Sequence, residues 1–185
     1  MKVEALANLE GDAGAVLSED GRYRYLLWRT LPPSLLQRVS RTLLVVMLNP
    51  STADAETNDR TILRVLGYAE REGFRVVLVV NLYALRDTDP QALLSAQDPV
   101  GPACDKWIAA AATGADAILV AWGGGPKGPF DLRPRVDAVR EILRQEGFEK
   151  AHCFGLTKDG QPLHPLYLSK TLPFQDYPLQ DTAHG

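Results

Sequence analysis

Four short segments combine residue types that could bind or transform a small ligand. The first is Asn49-Pro50-Ser51-Thr52-Ala53-Asp54. Pro50 fixes φ and removes a backbone donor, so the chain must turn there. Asn49 then stands before a fixed turn with an amide that both donates and accepts. Ser51 and Thr52 offer hydroxyls and Asp54 a carboxylate; the same residue types also build a plain turn through Asx and Ser/Thr bonds to the backbone. The second segment runs Asn81-Leu82-Tyr83-Ala84-Leu85-Arg86. Asn81 ends an aliphatic run, where an unpaired amide is costly, so it either bonds a neighbouring loop or reads the polar edge of a ligand. Arg86 has Asp87 and Asp89 close by, and a surface ion pair is its simplest role. The third, Trp122-Gly123-Gly124-Gly125-Pro126-Lys127, permits close backbone approach but matches neither phosphate-loop spacing. The fourth, Thr157 to Leu168, holds a Lys158-Asp159-Gly160 turn and His164, which Pro165 forces into an extended conformation. His152 falls in a predicted strand and His184 in the tail, which leaves His164 as the candidate imidazole.

Each segment follows an apolar run: Leu43–Leu48, Val76–Val80, Ala117–Trp122 and Ala151–Leu156. The first three runs are continuous rather than alternating, the pattern of strands buried on both faces of a parallel sheet. Helical spacing separates them, over Asp59–Glu72, Pro102–Thr113 and Pro134–Glu146, the first and last ending at Gly73 and Gly147. Asn58 or Asp59 would cap the first of these helices. Strands alternating with helices predict a three-layer α/β/α domain with a central parallel sheet of about four strands. Gly21–Thr30 alternates in part and predicts an edge strand or hairpin arm, which Leu31-Pro32-Pro33-Ser34 ends. Residues 1–40 would form this edge hairpin, 41–172 the core and 173–185 an extended tail that frays from Gln180. Ser95–Gly101 reads as loop.

The chain has 185 residues, 45% apolar and 23% charged, which predicts one globular domain. Two cysteines, Cys104 and Cys153, form no paired motif, and a reduced cytoplasmic protein is expected. Met1–Glu10 lacks the apolar stretch of a signal peptide, and the longest apolar runs fall far short of the ~20 residues a membrane helix needs. No metal-ligand spacing is present, and no cofactor is implied. Twenty Lys+Arg against 23 Asp+Glu give a net charge of −3, which argues against binding nucleic acid through bulk charge. A nucleic acid or nucleotide remains a possible partner, because Arg86, Lys127, Arg133, Arg135 and Lys158 lie in or near the strand-tip loops. Oligomeric state is not encoded in any pattern.

Met47–Ala55, Val79–Pro90, Asp98–Pro102, Ala121–Gly123 and Gly155–Leu168 together resemble a bacterial and phage family of unknown function, domain of unknown function 1643. That likeness spans roughly residues 22 to 170. The order of strand-tip motifs is also similar, more distantly, to the uracil-DNA glycosylase superfamily. Asn49-Pro50 resembles the water-activating loop of its mismatch-specific branch. Val79–Arg86 resembles the strand ending in a base-reading Asn, Ala121-Trp122-Gly123 a later strand end, and His164-Pro165-Leu166 the His-containing loop. That resemblance implies a uracil-DNA-glycosylase-like fold and hydrolysis of an N-glycosidic bond, with DNA repair or modification as the setting. Asn49 would position water, Asn81 would bond an extruded base, and His164, as neutral imidazole, would stabilise charge on the departing base. Ser51 and the Gly123–Gly125 backbone would contact phosphate, and Tyr83 would stack on the base. Three departures stand against it. No Gln-Asp-Pro-Tyr occurs, Asn49 cannot act as a general base so that Asp54 would have to assist, and Leu166 and Tyr167 replace phosphate-gripping serines. A non-catalytic nucleotide or modified-base binding module on this fold, or a small-molecule hydrolase using Asp54 and His164 with Ser51 as nucleophile, are the other readings.

Overall fold

The computed structural model describes residues 11–33 and 40–180. The signal-peptide expectation over Met1–Glu10, residues 34–39 and His184 lie outside them. The described chain is a mixed α/β fold around a seven-stranded sheet ordered β1-β2-β4-β3-β5-β6-β7. The strands are β1 (Ala13–Leu17), β2 (Arg24–Thr30), β3 (Thr42–Met47), β4 (Val76–Asn81), β5 (Ala117–Val120), β6 (Lys150–Cys153) and β7 (Gln175–Pro178). The helices are α1 (Arg60–Arg71), a short α2 (Ala92–Ser95), α3 (Cys104–Thr113) and α4 (Arg133–Gln145). Strands β4, β3, β5 and β6 run parallel at the centre. β1 and β2 add antiparallel on one side and β7 on the other.

The continuous apolar runs have a direct cause. Successive side chains of a strand alternate between faces. Leu43, Val45 and Met47 of β3 join Val77 and Val79 of β4 against Ile62, Val65, Tyr68 and Ala69 of α1. Leu44, Val46, Leu78 and Val80 face the other way, onto Ile108 and Ala111 of α3 and Val136, Val139 and Leu143 of α4. Helices therefore cover both faces and every strand position must be apolar. Leu43 to Val46 are 0% exposed, and each such side chain contributes about 1.5–3 kcal/mol by leaving water.

The sheet is larger than the expected one of about four strands. β7 falls in the segment expected to be an extended tail; only its Tyr177 is buried, so it carries no apolar run. β1 and β2 form an antiparallel hairpin at one edge of the sheet, so β2 is a hairpin arm and β1, not β2, is the outermost strand. β1 escapes sequence reading because Gly14 lies under the Trp28 indole, leaving no side chain there to mark the strand. α2 ends at Ser95, the first residue of the segment expected to be loop, and residues 96–101 form neither helix nor strand. Cys104 and Cys153 are both buried and free. Among the described residues no helix is long and apolar enough to cross a membrane.

Candidate functional site

In an open α/β sheet, ligands bind beyond the carboxyl ends of the strands, where neighbouring connections leave in opposite directions. Here β3 leads to α1 on one face, and its neighbour β5 leads to α4 on the other. The crevice between those tips is bordered by residues 49–59, 82–91, 121–132 and 155–168.

The segments after β3 and β4 stay joined beyond the sheet. Leu82 N–H donates to Met47 O at 2.8 Å and Tyr83 N–H to Leu48 O at 2.9 Å. Asn49 then adds a side-chain tie. Its Nδ2 donates to Asp87 O at 2.8 Å and more weakly to Pro50 O at 3.3 Å, while Asp87 N–H returns a bond to Pro50 O at 3.0 Å. The donor half of the Asn49 amide is spent on holding the loops, which leaves Oδ1 to accept from a ligand or water. Ser51 is half-buried and Thr52 exposed beside it. Asp54 builds its own turn: Oδ1 accepts from Glu56 N–H at 3.0 Å and Thr57 N–H at 2.8 Å. Those bonds hold its carboxyl below the usual range, so it stays ionised and is a weak base.

Two arginines of β2, absent from the sequence-based candidates, fix this loop from beneath. Arg24 is 3% exposed; it donates to Ala53 O at 2.7 Å and to Asn81 Oδ1 at 3.4 Å. Burial drives its pKa down to about 10, against the pull of the Asp59 carboxylate. Arg29 donates to Asp54 O at 2.6 Å, Thr57 O at 3.2 Å and Asn58 Oδ1 at 2.7 Å. The post-β3 loop is thus shaped by buried guanidinium groups bonding backbone carbonyls, an arrangement with no local sequence signature. Asn58 serves Arg29, and Asp59 is the cap, its Oδ1 accepting from Ile62 N–H at 2.8 Å.

Asn81 sits opposite Met47 in the β3–β4 register and is 3% exposed. Its amide oxygen faces Arg24, and its backbone oxygen accepts from the Cys104 thiol at 3.4 Å. Burial raises that thiol to about 11. Tyr83 is buried as well, its ring 5.7 Å from that of Phe130 and inside the core. As placed, it presents no open face to a base. Arg86 donates to Gly21 O at 3.2 Å and does not take the expected ion pair with Asp87 or Asp89.

The other wall is Gly123 and His164. Trp122 is a core residue, its Nε1 donating to Gln161 Oε1 at 2.8 Å. Gly123 has φ 73° and donates to Pro162 O at 2.9 Å. A Cβ on Gly123 would stand 3.3 Å from the His164 Cβ, so the two residues are closely packed. Gly124 is exposed with open space around it. His164 Nδ1 accepts from Leu166 N–H at 3.4 Å, which assigns the proton of the neutral ring to Nε2. Burial lowers the imidazole pKa, with Asp59 pulling the other way; His164 is accordingly neutral at pH 7 and Nε2–H is its donor. Because Nδ1 is engaged by Leu166, it is not oriented by Asp54 as a Ser51–His164–Asp54 relay would require. Lys158 stands on the exposed Thr157–Gly160 turn, closed by Gly160 N–H to Thr157 O at 3.0 Å. Among the described residues no group of His, Cys, Asp or Glu is arranged to hold a metal ion.

Asn49, Asn81, Gly123 and His164 therefore all stand at the carboxyl edge of the sheet, Asn49 tied to the post-β4 loop and His164 seated on Gly123. Ser51, Thr52 and Gly124 lie at its open side. Tyr83 turns into the core, and Lys158 stands away on its turn.

A family model matches residues 24–166, well over half of the chain. No curated protein and no solved structure matches it. The matched span begins at Arg24 and contains every strand tip that borders the crevice, and on that match the chain belongs to the family described as Protein of unknown function (DUF1643).

Proposed function

We propose that the chain recognises a nucleobase at this crevice and hydrolyses the N-glycosidic bond that joins it to a sugar. What supports the reading is a pair of complementary polar groups carried by the strand-tip loops after β3 and β6. Asn49 has its nitrogen spent and its Oδ1 left to accept, and His164 is a neutral imidazole with Nε2–H left to donate. The distant likeness of the strand-tip motifs to uracil-DNA glycosylases points the same way, as analogy.

In this reading Asn49 Oδ1 accepts a hydrogen bond from water and orients it toward the anomeric carbon. The C–N bond breaks, water oxygen joins the sugar carbon, and its proton passes to solvent. The base leaves with the bonding electrons and is protonated afterwards. His164 Nε2–H donates to the base carbonyl where that negative charge collects, an electrostatic contribution rather than a proton transfer. Asn81 is buried with its Oδ1 on Arg24, so it supports the strand tips rather than touching the base, while Ser51, Thr52 and the exposed Gly124 face the sugar-phosphate side.

One observation favours a second reading, a binding module without catalysis. Asp54, the carboxylate nearest Asn49 in sequence, is occupied in its own turn and is a weak base. The two readings separate in an assay of base release from DNA and nucleotides carrying uracil or modified bases. Hydrolysis predicts free base, with release reduced about 100-fold or more in Asn49→Ala and His164→Ala, the loss typical of removing one preorganised group. Binding without release from any substrate would select the module.

A further inference from the structure

A groove of about 390 Å³ runs along α1, lined by Arg60, Leu63, Arg64, Tyr68, Leu166 and Lys170 among others. Its far wall is the segment that follows His164, and that wall is held rigidly. Arg64 donates to Leu166 O at 3.5 Å, Tyr68 Oη to Ser169 O at 2.9 Å, and Arg71 to Lys170 O and Leu172 O. These bonds satisfy the carbonyls of the wall from the helix side, so what the groove offers a ligand is cationic side chains and apolar surface. No acidic side chain lines it.

The placement of the charges is informative. Arg60 opens α1, whose first turn carries no acidic residue. Cations at a helix N-terminus oppose the macrodipole and stabilise nothing locally. Arg60 and Arg64 are one turn apart, about 5.4 Å along the axis, and Lys170 faces them from the other wall. The Asp59 cap already complements the dipole, so these cations add nothing to the helix end. Beside them stand the two most exposed large apolar side chains of this region, Leu63 at 58% and Tyr167 at 84%. Tyr167 is three residues from His164 and ends the short 3-10 turn Pro165–Tyr167, and its side chain is open to solvent.

We propose that this groove binds the sugar-phosphate backbone of a single-stranded nucleic acid, with Tyr167 stacking on a base next to the one presented to His164. The proposal rests on the nucleobase reading above and makes its substrate a polymer rather than a free nucleotide. A track of cations with an adjacent aromatic face is the recurring design for single strands, because every base has a face to stack and every linkage a charge. It also accommodates the net charge of −3: the cations are local, so duplex affinity from bulk charge is not required.

The test is fluorescence anisotropy of a labelled single-stranded 15-mer with the full chain over a series of salt concentrations. Unlabelled mononucleotide, inorganic phosphate and a glutamate-rich peptide serve as competitors. Arg60→Glu with Lys170→Glu should weaken strand binding at least 10-fold and reduce the salt slope by about 1.4, roughly 0.7 for each lost phosphate contact on a single strand. Tyr167→Ala should weaken it about 5- to 150-fold, with Tyr167→Trp restoring it. Thermal melting of each variant checks that it is folded; these side chains line an open groove, so loss of fold is not expected. The proposal is overturned if the wild-type chain does not bind the strand, if the charge-reversed variant binds as well as wild type, or if the glutamate peptide or mononucleotide competes as well as the strand. Strand binding that depends on the groove, without base release, keeps the groove and removes the hydrolase reading. Base release from DNA with unchanged strand binding in the groove variants does the reverse.

Discussion

Replacing Gly123 by Ala perturbs the fold and the crevice at one point, and its cost can be worked from two numbers. The residue has φ 73°, a left-handed conformation that costs a non-glycine residue about 1–2 kcal/mol. The added methyl would lie 3.3 Å from the His164 Cβ, closer than carbon atoms prefer, and that Cβ is anchored to backbone rather than a flexible side-chain end. The sum is about 2 kcal/mol, with His164 displaced by a few tenths of an ångström. For a chain of this length about 2–4 °C of melting temperature goes with each kcal/mol, so Gly123→Ala should melt ~4–8 °C below wild type. Gly124→Ala is the matched control. That residue has ordinary φ and nothing within 4 Å of a Cβ, so the change should be neutral or stabilise by up to about 1 kcal/mol through the unfolded chain. Differential scanning calorimetry on the three proteins decides it. A Gly123→Ala protein that melts with wild type, or a Gly124→Ala protein that falls as far, would refute the claim that His164 is seated on the Gly123 backbone.

The pKa of His164 lies below the free value of about 6.5. As pH falls, the unfolded chain takes up that proton before the folded one, so the contribution is complete above about pH 6.5 and declines below it. Wild type should lose stability below pH 6.5 relative to His164→Gln, and the His164 ring signal in proton NMR should titrate below 6.5; a midpoint at or above that value would contradict the burial argument. Arg29→Met removes the bonds to Asp54 O, Thr57 O and Asn58 Oδ1. These acceptors are half-buried or exposed, so water replaces part of each bond and the net loss is about 0.5–1.5 kcal/mol apiece. Hydrogen exchange across residues 53–58 should quicken at least 10-fold while β3 and β4 stay protected; uniform loss of protection would mean that Arg29 supports the whole sheet rather than the loop.

The parts legible in the sequence are those where one physical demand controls every residue. Leu43–Leu48 and Val76–Val80 are apolar throughout because α1 covers one face of their strands and α3 with α4 the other, and so they announce a central parallel sheet. α1 was legible from Ile62, Val65 and Ala69, and Asp59 from its capping position. β7 was not, since only Tyr177 of its four residues is buried. The crevice divides in the same way. The placing of Asn49, Asn81, Gly123 and His164 at strand ends was legible, because polar residues that follow apolar runs must stand at strand tips. Arg24 and Arg29 were missed because their partners are carbonyls far along the chain, and an arginine in a strand reads as solvent-facing. Tyr83 was misjudged for the opposite reason. An aromatic ring after a strand suits a ligand or a core equally, and the neighbouring Phe130 that claims it is 47 residues further on.

In the proposed function one crevice, walled by Asn49 and His164, holds a nucleobase. NMR chemical-shift mapping tests it most directly, following the Asn side-chain amides and the His164 ring while nucleosides, free bases and ribose are titrated in turn. Saturable shifts at Asn49 and His164 are expected with base-containing ligands, none with ribose, and their loss in His164→Ala. Shifts confined to other parts of the surface, or equal shifts with ribose, would contradict it.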